Sequence, residues 1–147
     1  MNSKEVKNLF LKLKEQFGVE EKPNFVYLIN NKEKVYVLNR DIEKIDYESY
    51  WIDSAGLYFG TYQKDGFRLS IEGSQILSKL AKKNVLELTK EQKHDWLKGN
   101  DVQTDETISR LVIVKSKKDY FGCGKVKEGI LLNAVPKSRR LNIVNEE

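Results

Sequence analysis

The chain has 147 residues, 39% of them apolar, 33% charged and 10% aromatic, with a formal net charge of +4. That length suits one domain with at most a small appendage, and seven Tyr, six Phe and two Trp supply a core without disulfides or metals, which excludes a disordered or disulfide-stapled chain. Cys123, the single cysteine, excludes an internal bridge, and the apolar runs Phe25 to Ile29 and Gly129 to Leu132 fall far short of the ~20 residues of a membrane helix.

Val6, Leu9, Phe10, Leu13 and Phe17 fall on one helical face, so the first segment is expected to be an amphipathic helix capped by Ser3 and stopped by Gly18. Lys4, Glu5 and Lys7 interrupt any apolar leader, and the protein is expected in the cytoplasm with no membrane association. Phe25 to Ile29 and Lys34 to Leu38 read as a hairpin around Asn30 to Glu33. A helical turn is expected at Asp41 to Tyr47 and an extended run at Tyr50 to Asp53.

Gly56 to Gln63 and Phe67 to Ser70 flank Lys64-Asp65-Gly66, a second hairpin whose glycine accepts a positive φ. Ile71 to Ala81 suggests a short helix, Val85 to Leu88 a brief strand, and Thr89 to Gln92 a capping box opening a helix that carries Trp96 and stops at Gly99. Asn100 to Ser109 is polar and acidic and is expected to be a loop. Three strands follow, Arg110 to Lys115, Tyr120 to Lys127 and Ile130 to Asn133, before Pro136 ends regular pairing. Strands and helices do not alternate as a parallel sheet requires. The expected class is therefore α+β: a mixed, partly closed β barrel with short helices, preceded by a helix-plus-hairpin unit.

Charge is unevenly placed. Residues 110 to 140 hold nine Lys/Arg and two acids, a net of +7, whereas the rest of the chain has 17 basic and 20 acidic residues, a net of −3. Such a split points to a polyanion, most often nucleic acid, with a merely solvated lysine surface as the alternative.

Catalytic and metal chemistry find little support. His94 has no Ser or Cys nucleophile in a motif around it, Cys123 reads as a strand cysteine in a glycine-lined bend, and no carboxylate or Cys/His group has metal-ligand spacing. Gly122-Cys123-Gly124-Lys125 lacks both the third glycine of a dinucleotide loop and the Gly-Lys-Ser/Thr ending of a phosphate loop. No enzyme, cofactor or metal is expected. Binding is better supported: Lys125 and Lys127 share a strand face, with Lys115, Tyr120 and Phe121 nearby, and Pro136-Lys137-Ser138-Arg139-Arg140 sets three cations after a rigid turn. Each of these residues has a bland reading beside this one, in which the aromatics are core and the lysines only solubilise.

Gly122-Cys123-Gly124-Lys125-Val126, Gly129, Asn133 and Pro136 to Arg140 together resemble the end of the PUA-like RNA-binding domain attached to Sun/Fmu-type rRNA cytosine-5 methyltransferases. Gly56 to Gly60, Phe67 to Ser70, Leu86 to Thr89 and Trp96 to Gly99 resemble that domain's earlier elements in order, so the similarity runs from Lys34 to Leu141. Where the family has Arg-Phe-x-Pro-Ser-His, this chain has Gly66-Phe67-Arg68-Leu69-Ser70. The 33 residues upstream are too short for a doubly wound cofactor domain.

The resemblance implies an N-terminal extension at 1–33 and a PUA-like domain at 34–147, free-standing, as in small archaeal proteins of ribosome biogenesis. Structured rRNA or tRNA is the implied partner, with Lys115, Lys125, Lys127, Lys137, Arg139 and Arg140 on phosphates. One of Tyr58, Tyr62 or Tyr120 would stack on a base, and Gly122, Gly124 and Gly129 would let RNA or a neighbouring strand approach closely. The alternative is an adaptor that docks a separate RNA methyltransferase or ribosome assembly factor through its N-terminal unit.

Overall fold

A computed structural model describes residues 1–39, 56–105 and 109–140. The expectations for Asp41 to Tyr47 and Tyr50 to Asp53 lie outside these residues. Helix α1 (Ser3–Phe17) buries Leu9, Leu13 and Phe17 and ends at Gly18, φ +70°. Its cap is Asn2 rather than Ser3: the Asn2 side chain accepts from the Glu5 amide while Glu5 accepts from the Asn2 amide, both at 2.9 Å.

Two sheets follow. In the first, β1 (Phe25–Ile29), β2 (Lys34–Asn39), β3 (Leu57–Gln63) and β4 (Gly66–Leu69) pair in sequence order, all antiparallel. The β1–β2 hairpin carries the chain across position 33 within this sheet, with Val26 opposite Leu38 and Leu28 opposite Tyr36. Tyr27, Val35, Val37, Phe59, Phe67 and Leu69 face inward and pack with α1 into one core. Tyr36 and Tyr58, paired on the opposite face, point outward.

Helix α2 (Ile71–Ile76), capped by Ser70, leads to the second sheet. There β5 (Val85–Glu87), β6 (Val102–Gln103), β7 (Arg110–Ser116), β8 (Asp119–Lys127) and β9 (Ile130–Leu132) are ordered β5-β7-β8-β9-β6. The β5–β7 pairing is parallel and the rest antiparallel, so the sheet is mixed and curls as a half-barrel. Helix α3 (Lys90–Leu97), opened by the expected Thr89/Gln92 capping box, plugs it with Trp96, which packs with Val112, Val114, Val126 and Leu131 in a second core. The acidic stretch after Asn100 is not all loop. Val102 and Gln103 pair with β9, because Val102 supplies an apolar side chain that the second core buries.

One extra residue on β8 shapes the junction between the cores. The pairing shifts from Ile113–Cys123 to Lys115–Tyr120, three residues against two, so β8 bulges around Gly122, φ +85°. As a result Tyr120 and Cys123 face the first core and Phe121 the second.

Candidate nucleic-acid interface

The basic segment divides into three places on the fold. At the C-terminal end, Pro136 caps a 3₁₀ turn at Lys137–Arg139. Asn133 builds this turn: its side-chain amide donates to the carbonyls of Trp96 and Asn100, each at 2.8 Å, and its oxygen accepts from the Val135 amide at 2.9 Å. Arg140 joins the same network, donating from Nε to the Val135 carbonyl at 3.0 Å while its side chain stays partly exposed. Arg139 reaches Glu72 of α2 at 3.1 Å but keeps 48% of its side chain exposed. Lys137 is exposed and makes no ion pair among the described residues.

The second place is the far end of β8. Lys127 is exposed, also without an ion pair among the described residues, beside the β8–β9 turn, where Gly129 adopts φ +80°. Lys125 shares its face and binds Asp65 of the β3–β4 turn at 2.9 Å. That contact holds the Asp65 carboxyl below its usual range, the lysine hydrogen bond being the largest cause. The lysine is thus available to a phosphate only by exchanging one anion for another.

The third place is the opposite end of β8, about 17 Å away at ~3.3 Å per residue over the five residues from Lys125 to Tyr120. Lys115 stands 3.6 Å from Glu87 and 5.2 Å over the Tyr120 ring. Tyr120 packs on the first core and donates its hydroxyl to the Ser78 carbonyl at 3.1 Å. Tyr120 and Phe121 lie on opposite sides of the sheet, both partly buried.

Among the other tyrosines, Tyr62 packs edge-on against Phe67 at 5.1 Å in the first core, and burial raises its hydroxyl pKa above the usual phenol value. Tyr58 instead faces outward. Gly122 and Gly124 are buried: a Cβ on Gly122 would stand 3.1 Å from the Ile71 amide, and one on Gly124 2.8 Å from Trp96 and Leu131. Their close approach is made by the protein's own chain, which takes both out of the surface available to RNA. Cys123 is likewise interior. It accepts from the Leu69 amide at 3.3 Å, and burial pushes its thiol up to about 12, against the activation a nucleophile needs.

An open cleft of about 970 Å3 lies between β5 and the β6 and β8–β9 segments. Glu87, Asp105 and Glu128 line it, so it repels phosphate. Among the described residues there is no group of three or more His, Cys, Asp or Glu placed to hold a metal, and no helix is long and apolar enough to cross a membrane.

A curled mixed half-barrel plugged by a short helix, with its C-terminal turn latched onto that helix, is consistent with a PUA-like fold, the fold of a class of RNA-binding domains. Residues 83–141 match the family model of the methyltransferase RsmF PUA domain, which supports a PUA-like domain of the Sun/RsmF family in that part of the chain. No curated protein matches the chain. The match begins beside β5 and encloses all three basic places.

Proposed function

We propose that this protein binds structured RNA, rRNA or tRNA, without catalysing a reaction itself, during ribosome maturation or RNA modification in the cytoplasm. The observation that carries the reading is the coincidence of the PUA match at 83–141 with the +7 segment at 110–140. Lys127 and Lys137 are the cations most ready to neutralise phosphates, Arg139 and Lys125 follow by releasing Glu72 and Asp65, and Lys115 extends the footprint to the far end of β8. The test is fluorescence anisotropy with a structured rRNA fragment, a tRNA and a duplex DNA across a salt series. Preference for one RNA that persists at physiological salt supports the reading. Equal, weak binding that vanishes with salt overturns it.

A second reading, docking onto a separate RNA methyltransferase or assembly factor, draws support from Leu11 on α1, which is 55% exposed between Lys7 and Lys14. Deleting residues 1–33 would remove Leu9, Leu13, Phe17 and Tyr27 from the first core and so unfold the protein. Leu11→Glu is the cleaner probe: it should abolish partner capture and spare RNA affinity.

A further inference from the structure

We propose that the outward face of the first sheet is a stacking platform for unpaired RNA bases, formed by Tyr36 and Tyr58. The proposal rests on the RNA-binding reading and adds a site outside the matched residues 83–141. Of the tyrosines in the described residues, Tyr27, Tyr62 and Tyr120 are turned into or against the first core. Tyr36 and Tyr58 are opposed on neighbouring strands, with ring centroids 5.6 Å apart and planes tilted by 48°. Their orientation follows from the chain: Val35 and Val37 are buried, so Tyr36 between them must point out, and Tyr58 is its cross-strand partner. Both rings are partly exposed, so that face of the pair is open to a ligand.

The surroundings favour nucleic acid over an apolar partner. Lys34 Nζ stands 5.6 Å over the Tyr58 ring. The Tyr58 hydroxyl is hydrogen-bonded to Thr61, and Thr61 is opposite Arg68 on β4. Arg68 reaches from that face to the Cys123 carbonyl at 3.5 Å, two residues along β8 from Lys125. A strip of Lys34, Tyr36, Tyr58, Arg68 and Lys125 therefore crosses from the first sheet to the second. Cations flank the paired rings on both sides, an arrangement suited to single-stranded nucleic acid: phosphates on the cations, bases on the rings.

The full chain is titrated with a stem-loop RNA bearing an unpaired loop and with a blunt duplex made from the same stem. Tighter stem-loop binding is expected, and Tyr36→Leu with Tyr58→Leu should lower stem-loop affinity roughly 5- to 150-fold, the range for one lost stacked base, leaving duplex affinity unchanged. Tyr36→Phe with Tyr58→Phe keeps the rings and should bind as the unaltered protein does. If the folded leucine variant keeps its stem-loop affinity, or loses both RNAs equally, the platform is overturned while the RNA-binding reading stands. Failure of the unaltered protein to bind any RNA overturns both. Should the leucine variant not fold, crosslinking from 4-thiouridine in the loop decides: crosslinks on the β2 or β3 peptides support the platform, and crosslinks confined to residues 110–140 overturn it.

Discussion

Arg140 lies across Gly99: a Cβ on Gly99, at φ +99°, would stand 2.6 Å from both Cδ and Nε of the arginine. The glycine that stops α3 is thus the floor on which the C-terminal turn rests, and the Arg140 Nε bond to the Val135 carbonyl completes the latch. The two adjacent arginines have different partners, Val135 for Arg140 and Glu72 for Arg139.

Arg140→Ala should therefore cost about 1–2 kcal/mol of stability, from a lost charge-assisted hydrogen bond and the packing of the stem, read as a lower Tm. Lys137→Glu should leave Tm unchanged while weakening RNA binding across sequences and reducing the salt slope by about 1. A reversed pattern would exchange their roles.

The Asp65–Lys125 pair ties the β3–β4 turn to β8 and occupies a cation proposed for RNA. Because the folded carboxyl sits below its ordinary value, the pair stabilises above about pH 4 and its contribution is lost as pH falls through the folded pKa. Both side chains are about a third exposed, so the contribution is below about 1 kcal/mol. Asp65→Asn should flatten the acid limb of the stability curve, measured by denaturant titration at each pH. It should also raise RNA affinity several-fold by freeing Lys125. Weaker RNA binding in that variant would mean that Asp65 positions the lysine.

Cys123 should resist alkylation in the native protein at pH 8 and react on unfolding. Its folded pKa, about 12, lies above that of an unfolded cysteine, so the neutral thiol stabilises fully below about pH 8.5 and this contribution is lost as pH rises toward 12. Cys123→Ala should remove that alkaline dependence in melts taken between these values.

Gly124→Ala places a methyl 2.8 Å from Trp96 Cη2 and Leu131 Cδ1, both in the packed second core. The expected cost is about 1–3 kcal/mol, seen as a lower midpoint in urea. An unchanged midpoint would show that Trp96 has room to shift.

Much of this architecture was legible in the chain. The α1 stripe from Val6 to Phe17, the turns at Asn30 to Glu33 and Lys64-Asp65, the Thr89/Gln92 box and the run of strands from Arg110 to Leu132 all depend on local periodicity and turn chemistry, which neighbouring residues encode. The resemblance to a PUA-like domain was legible too, because its glycine, asparagine and proline positions are closely spaced. What only tertiary structure decided is which side chains remain outside. Arg139 and Arg140 are adjacent in sequence, yet Glu72 and Val135 give them different neighbours. Tyr58, Tyr62 and Tyr120 are the same residue type, but the bulge on β3 and the one on β8 set which ring faces the core. Ser3 yielded the cap to Asn2 because the capping geometry is satisfied by the residue whose carbonyl starts the helix. Burial and pairing are properties of contacts between distant segments, and a linear pattern names the candidates for them without saying which partners they meet.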